Sequence, residues 1–240
     1  MPDSLKGKQI IVAGGSGGLG SATTALLAAE GADLIVSYRA NRERAGQLAG
    51  IARVIEADIT AAEDRRRLLG AAPQLYGLVV FAGDPARVSD PAQLERALDL
   101  SHRVNYLGPL LLAREASELM LGRKIPGAII LLSTMQAVAL FPGSTAYAGA
   151  KAALVQGARI LAKELRGPSG IRVNVIAPGV MAAGMAQASI ASGKYNRFLE
   201  ERIIARFGRT EDVARAVRFF LEPDNYITGQ VLSVDGGITL

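Results

Sequence analysis

Residues 13–20 read AGGSGGLG, and this glycine-rich stretch decides how the rest of the chain is interpreted. It stands between the apolar run QIIVA at 9–13 and the helical stretch SATTALLAAEGA at 21–32. A strand, a glycine-rich turn and a helix in this order are typical of a dinucleotide site, because glycine lets the backbone approach a pyrophosphate. The free N–H groups at the helix start add a positive field. No Lys-Ser/Thr pair follows the last glycine, which argues against a P-loop.

The glycines of this stretch fit two spacings at once. Gly15, Gly17 and Gly20 match G-x-G-x-x-G, whereas Gly14, Gly18 and Gly20 match G-x-x-x-G-x-G. The stretch itself does not choose between them. A glycine-rich connection that binds no ligand is the alternative interpretation of both.

Short β-branched runs recur along the chain and alternate with longer stretches rich in Ala, Leu, Arg and Glu. Runs that are apolar on both faces are typical of buried parallel strands joined by helices. We therefore expect a single α/β domain over residues 1–240, a doubly wound parallel sheet with ligands outside the carboxyl ends of its strands. The runs lie at 9–13, 34–37, 53–56, 78–82, 128–133, 172–177 and 231–234.

Composition narrows the function classes. The formal charge is +5, but Lys and Arg are scattered among 22 acidic residues, which disfavours a nucleic-acid partner. The chain has no cysteine, so disulfides and thiolate chemistry are excluded. No metal site is expected, and no run is long enough to span a membrane, so we expect a cytoplasmic protein.

The segment 183–206 differs from its surroundings. It follows a predicted strand and mixes Met, Ile, Lys and Arg, so we interpret it as a candidate substrate lid.

Tyr147 and Lys151 occur in AYAGAK at 146–151, four residues apart, so they project from the same face of a predicted helix. This pair, AGGSGGLG, NVIAPG at 174–179 and the ending YITGQVLSVDGG at 226–237 together resemble the short-chain dehydrogenase/reductase family. The resemblance extends from Lys6 to Leu240. Within the family, the chain resembles members that are similar to 3-oxoacyl-[acyl-carrier-protein] reductases.

The resemblance implies roles for particular residues. It implies a sheet order of 3-2-1-4-5-6-7 and a homo-oligomer, a tetramer or a dimer, that acts on a small carbonyl or alcohol substrate. It also implies the second glycine spacing. The implied cofactor-binding residues are Gly14, Ser16, Gly18, Leu19, Gly20, Asp58, Ile59, Ala82, Gly83, Tyr147, Lys151, Pro178, Gly179 and Val180. Asn105 matches the family asparagine that anchors a water linked to the lysine, its alternative role being to bond backbone in a helix bend.

The end of the second predicted strand indicates the cofactor. An NAD site usually has a carboxylate there, which accepts hydrogen bonds from the ribose 2′-OH. Here Tyr38 stands at that position and Arg39 follows it. A guanidinium binds a 2′-phosphate that a carboxylate would repel, so NADP(H) is favoured over NAD(H).

Tyr147 is expected to act as the general acid/base. Its ionisation near neutral pH needs about 3 to 4 kcal/mol of help, since a tyrosine has a reference pKa near 10. A cation about 4 Å away supplies roughly that amount at an effective dielectric constant of 20. Lys151 is therefore expected to lower the pKa of Tyr147.

Ser133 and Thr134 are adjacent candidates for the hydroxyl that polarises the substrate. Successive side chains of an extended segment face opposite ways, so one of them is expected to face the site. In the family this hydroxyl lies thirteen residues before the tyrosine, which implies Thr134. Ser133 is the alternative.

The chain departs from the family pattern at three places. Ala13 replaces a threonine, Val80-Phe81 replace two asparagines, and Ala183 stands where a threonine often contacts the carboxamide. These losses keep a second function open, a sensor or structural protein that binds NADP(H) and catalyses little. His102, the only histidine, is expected at the surface or in an interface.

Overall fold

The computed structural model describes residues 4–86 and 90–240. Seven parallel strands form one sheet in the order β3-β2-β1-β4-β5-β6-β7, which confirms the predicted fold class and strand order. The strands are β1 (Gln9–Ala13), β2 (Asp33–Tyr38), β3 (Arg53–Glu56), β4 (Leu75–Val80), β5 (Gly127–Leu132), β6 (Ile171–Pro178) and β7 (Val231–Val234).

Helices connect successive strands and cover both faces of the sheet. The longer ones are α1 (Gly18–Ala29), α3 (Ala62–Gly70), α4 (Leu94–His102), α5 (Gly108–Gly122), α6 (Thr145–Glu164) and α9 (Thr210–Leu221), and the short ones are α2 (Arg42–Gly46), α7 (Gln187–Ala191) and α8 (Arg197–Glu200). A π-helical turn at Arg103–Leu107 joins α4 to α5. One-turn 3-10 helices lie at Pro91–Gln93, Met135–Ala137 and Gly184–Ala186.

Along each strand, successive side chains point to opposite faces of the sheet and pack into two separate core layers. In β1, Ile11 packs in the layer covered by α3, α5 and α6, whereas Ile10 and Val12 pack in the layer covered by α1 and α9. Both layers are apolar, which explains why the strand sequences are continuous hydrophobic runs.

The strand bounds differ from the sequence prediction chiefly at β4. This strand begins at Leu75, three residues before the predicted run, and ends at Val80, so Phe81 and Ala82 are outside it. The N–H groups of Phe81 and Ala82 donate instead to the carbonyl of Ala13, at 2.8 and 3.2 Å. The chain after β4 is thereby held against the end of β1.

The strand order places a crevice at the carboxyl end of β1. The chain leaves β1 toward β2 on one side, while β4 pairs with β1 on the other. In open α/β sheets the ligand site lies at this reversal of strand order. The glycine-rich stretch therefore opens onto the site that the fold itself makes available.

Candidate active site

A cleft of about 480 Å³ runs along the carboxyl ends of the strands. Every cofactor-binding residue expected from the sequence lines it, as do the expected catalytic residues other than Asn105. These lining residues are Gly14, Ser16, Gly18, Leu19, Gly20, Tyr38, Arg39, Asp58, Ile59, Ala82, Gly83, Thr134, Tyr147, Lys151, Pro178, Gly179 and Val180.

The glycine turn, residues 14–20, leaves no room for side chains at the positions of the second spacing. A Cβ on Gly14 would lie 2.8 Å from the Ala82 nitrogen, and the positive φ of Gly14, +75°, also favours glycine. A Cβ on Gly20 would lie 2.7 Å from the Gly14 carbonyl oxygen. At Gly17 the nearest atom would be 3.3 Å away, so this position is less constrained.

Gly18 ties the turn to the far side of the cleft. A Cβ there would lie 2.8 Å from the backbone nitrogen of Gly184, which begins a 3-10 turn within segment 183–206. Ala183, one of the departures from the family pattern, lies at the same contact. The first part of the candidate lid therefore touches the glycine turn directly.

The N-terminus of α1 faces the cleft without a side-chain cap. Gly17 is the N-cap residue, and the first turn of the helix carries no acidic side chain. The N–H groups of Gly18, Leu19 and Gly20 are therefore available to an anionic ligand, and the helix dipole favours negative charge there. The residues present fit the pyrophosphate of a nicotinamide dinucleotide.

The end of β2 presents Tyr38 and Arg39 to the cleft. The Tyr38 hydroxyl donates to Glu56 Oε2 at 3.2 Å, and burial and this carboxylate raise the pKa of Tyr38. Arg39 is exposed. The following acidic residue on the cleft wall, Asp58, accepts hydrogen bonds from the N–H and hydroxyl of Thr60 through its Oδ1.

Thr134 and Tyr147 meet at the carboxyl end of β5. The Thr134 side chain interacts with the Tyr147 hydroxyl and lowers the pKa of Tyr147. Burial has the larger opposite effect and the charge of Asp84 adds to it, so the pKa of Tyr147 is raised to about 12. Tyr147 is therefore protonated at neutral pH in the structure.

Ser133 also lines the cleft, but its hydroxyl has a backbone partner. Its hydroxyl donates to the backbone carbonyl of Lys151 at 3.2 Å and is buried against α6. The structure thus brings Thr134, not Ser133, to the Tyr147 hydroxyl.

Lys151 is buried one helical turn beyond Tyr147 and is only 2 % exposed. Its Nζ donates to the carbonyl of Leu132 at 2.7 Å, and burial lowers the pKa of Lys151 to about 7. The expected effect on Tyr147 does not occur in this state, since the pKa of Tyr147 rises. The reason is desolvation, which disfavours the charged form of both groups.

Asn105 lies behind the cleft wall in the π-helical turn and is fully buried. Its Oδ1 accepts from the Asp84 N–H at 2.9 Å, and its Nδ2 donates to the Asp84 carbonyl at 2.8 Å. A Cβ on Gly83 would lie 3.0 Å from Asn105 Oδ1 and 3.5 Å from Lys151 Nζ. Asn105 thus fixes the chain after β4 beside the lysine.

Several residues that line the cleft or lie behind its wall were not identified from the sequence. Ser101 links Asn105 Nδ2 to the carbonyl of Ala146, at 2.9 and 2.8 Å, and so joins α4 to the start of α6. The missed lining residues include Pro85, Val104, Met135, Gln136, Met181, Lys194 and Tyr195. Except for Val104, which lies in the π-helical turn, these residues lie soon after a strand or within segment 183–206, and this position is their one sequence signal. His102 is exposed, with its ring 5.1 Å from that of Tyr106.

Residues 13–239 match the family model described as Enoyl-(Acyl carrier protein) reductase. The chain belongs to the short-chain dehydrogenase/reductase family. It is 33% identical to 3beta-hydroxysteroid dehydrogenase 1 of Eggerthella lenta, over 100% of this chain and 97% of that protein. It is 31% identical to NADPH-dependent aldehyde reductase 2, chloroplastic, of Arabidopsis thaliana, over 100% of this chain and 96% of the relative.

A solved structure agrees with this membership. A variant of a Serratia marcescens short-chain dehydrogenase/reductase superposes with a TM-score of 0.87 and 30% identity, and the match covers 100% of both chains. The oxidoreductase family, the Rossmann-type sheet and the carboxyl-edge cleft therefore agree with one another. Among the helices of 4–86 and 90–240, none has the length and apolarity that a bilayer crossing requires.

The Lys151 pKa predicts a pH-dependent stability. Between about pH 7 and pH 10 the unfolded chain binds a proton at Lys151 that the folded chain does not, so the free energy of unfolding rises with pH in this window. Lys151→Met should reduce that rise. Urea unfolding of the ligand-free protein at several pH values measures it, and Lys163→Met, an exposed lysine of the same helix, is the control. Equal rises in the wild type and Lys151→Met would contradict the prediction.

Proposed function

We propose that this short-chain dehydrogenase/reductase is an enzyme that reduces a carbonyl group and oxidises the corresponding secondary alcohol with NADP(H). The observation that carries the proposal is that Tyr147, Thr134 and Lys151 line the same cleft, with Thr134 acting on the Tyr147 hydroxyl and Lys151 one helical turn away. A sensor that only binds a dinucleotide needs no proton donor at this position. The named activities of the relatives, an aldehyde reductase and a hydroxysteroid dehydrogenase, belong to the same reaction class.

The nicotinamide supplies or accepts hydride when it is bound, and the protein holds it and moves the proton. The glycine turn and the α1 N-terminus would bind the pyrophosphate, and Asp58 and Ile59 would flank the adenine. Pro178, Gly179 and Val180, which follow or end β6, would support the nicotinamide. Lys151 would also hold the nicotinamide ribose.

Tyr147 would protonate the carbonyl oxygen of the substrate during reduction. Its raised pKa keeps the hydroxyl protonated, so the donor is already in the form that reduction requires. In the oxidative direction Tyr147 must first ionise, and protonation of Lys151 would favour that step. Thr134 would donate to the same substrate oxygen and stabilise its developing negative charge.

Assembly into a homo-oligomer is part of the same proposal. Leu94 and Leu98, one helical turn apart on α4, are each 41% exposed. Exposed apolar side chains in one region support a contact with a second copy.

The proton-donor role is tested with Tyr147→Phe. This variant keeps the ring and removes only the hydroxyl, so NADPH should still bind while kcat for any accepted carbonyl falls by at least 10²-fold. Steady-state kinetics and calorimetric NADPH binding measure the two effects. If the variant retains most of its kcat, the catalytic proposal fails and a binding or sensing function becomes the better interpretation.

The polarising hydroxyl is tested with three further variants. Loss of one preorganised donor to an oxyanion costs on the order of 10²- to 10³-fold in kcat, which is the loss expected for Thr134→Ala. Thr134→Ser keeps the donor and should stay active. Ser133→Ala should lower stability through its lost bond to the Lys151 carbonyl but change kcat little. A large kcat defect in Ser133→Ala beside a near-normal Thr134→Ala would refute the assignment.

NADP(H) preference is tested at Arg39. Arg39→Ala should weaken NADPH binding about 10-fold or more, since a guanidinium–phosphate contact is a charge-assisted hydrogen bond, and should leave NADH binding unchanged. Calorimetric titration with each cofactor measures this. Arg44→Ala removes an arginine of α2 that does not line the cleft and is the matched control. Tighter binding of NADH by the wild type would sink the assignment.

A further inference from the structure

We propose that Lys194 recognises an anionic group of the substrate, so that the preferred substrates are oxo acids, carbonyl compounds that also carry a carboxylate. This inference rests on the carbonyl-reductase function proposed above and specifies the substrate class of that site. It is carried by the position of Lys194, by the charges along the cleft and by the neighbouring polar and apolar side chains.

Lys194 lies at the end of the cleft that contains Thr134. Its Nζ is 5.7 Å from the centre of the Tyr195 ring, and both residues line the cleft. Tyr195 packs against a small apolar cluster of Met135, Val180, Phe198 and Ile204. Met135 is adjacent to Thr134 in sequence, so this cluster links the segment that carries Lys194 to the reacting end, whereas Arg39 follows the end of β2.

The charges along the cleft leave Lys194 as the cation available to a substrate. Among the described lining residues the single carboxylate is Asp58, which follows β3 and is hydrogen-bonded to Thr60. The Lys151 amine is buried and donates to the Leu132 carbonyl. Within 4–86 and 90–240, Lys194 makes no ion pair.

The negative charge of Asp84, near Tyr147, limits where the carboxylate of a substrate can bind. The carboxylate of Asp84 acts on Tyr147 and raises its pKa, while its Oδ1 accepts from the Ala86 N–H at 2.8 Å. A negative group directly at Tyr147 would be repelled by Asp84. The carboxylate of a substrate is therefore favoured at the Lys194 end, separated from the carbonyl that Tyr147 protonates.

Gln136 supplies a second donor at the same end. Its Oε1 accepts a hydrogen bond from the hydroxyl of Ser144, which is the N-cap residue of α6. This bond fixes the orientation of the Gln136 amide. Because Oε1 is engaged, Nε2 remains as a donor on the cleft wall, and the described residues provide no acceptor for it. An oxygen-rich substrate group finds donors at both Gln136 and Lys194.

The wall between these polar groups is apolar. Met135, Val180 and Met181 line the cleft and are almost fully buried. Thioether side chains adapt to ligands of different shape, which suits an alkyl segment that joins a carbonyl to a carboxylate. The substrate chemistry is therefore a carbonyl, an apolar spacer and an anion.

Binding and turnover of matched ligand pairs test this inference. Straight-chain oxo acids of increasing length are compared with their methyl esters, which remove only the charge. Calorimetry on the NADP⁺-loaded protein measures binding without turnover, and NADPH oxidation measures kcat and KM. We expect at least one acid to bind about 10-fold or more tightly than its ester at low salt, a preference of about 1.4 kcal/mol.

The variants Lys194→Gln and Lys194→Arg locate the charge responsible. Lys194→Gln should remove the acid-over-ester preference, chiefly by raising KM for the acid, whereas Lys194→Arg should retain much of the preference. Arg197→Gln is the matched control, because Arg197 lies in the same segment with its guanidinium 5.0 Å from the Phe198 ring and does not line the cleft. It should leave the preference intact.

Each other outcome overturns the inference in a distinguishable way. If Lys194→Gln weakens NADPH binding and spares the acid-over-ester ratio, the lysine contacts a phosphate of the cofactor instead. If the wild type reduces acids and esters equally well, the carbonyl-reductase proposal stands and the substrate class is wrong. If no carbonyl compound is reduced and no acid preference appears in binding, both proposals fail.

Discussion

The close approach of backbone to backbone at the glycine turn is the constraint on which the rest of the site depends. Gly14 touches the chain after β4, and Gly18 touches the chain after β6. A methyl group at either position would separate these segments, because contacts under 3 Å to backbone atoms do not relax cheaply. Three strand ends therefore meet at one point, and the cleft acquires walls from distant parts of the sequence.

Desolvation governs the chemistry of the reacting end. Tyr147 and Lys151 lie on one helix face, yet burial moves their pKa values apart in the direction of two neutral groups. A neutral phenol suits proton donation, and a neutral amine avoids an uncompensated buried charge. The sequence predicts that a charged Lys151 lowers the pKa of Tyr147. That effect therefore requires a change in the solvation of the two groups or the binding of a charged ligand.

Features that follow from local pattern were predictable from the sequence. The seven strands, their order and the glycine-rich crevice follow from apolar runs and from the family resemblance, and the structure confirms the fold. Backbone bonding by Asn105 in a helix bend was an alternative drawn from the sequence, but its partner Asp84, 21 residues away, was not predictable, because the π-helical turn sets where the side chain points. Lys194 was hidden for a similar reason, because its place on the cleft wall depends on how Tyr195 packs.

At the departures from the family pattern at the ends of β1 and β4, backbone hydrogen bonds replace side-chain interactions. Relative to the family pattern, the chain lacks a threonine at Ala13 and two asparagines at Val80 and Phe81, where β1 meets the chain after β4. In the structure the Ala13 carbonyl accepts two backbone N–H groups from Phe81 and Ala82, so the junction is retained without side-chain support.

Lys151 is joined to the end of β5 by two hydrogen bonds that run in opposite senses. Its backbone carbonyl accepts from the Ser133 hydroxyl, and its amine donates to the Leu132 carbonyl. The part of α6 around Lys151, in the first half of the helix, cannot separate from the sheet without breaking both bonds. Local opening of this helix is therefore coupled to opening of the central sheet, and its amide protons should exchange with solvent at rates close to those of global unfolding.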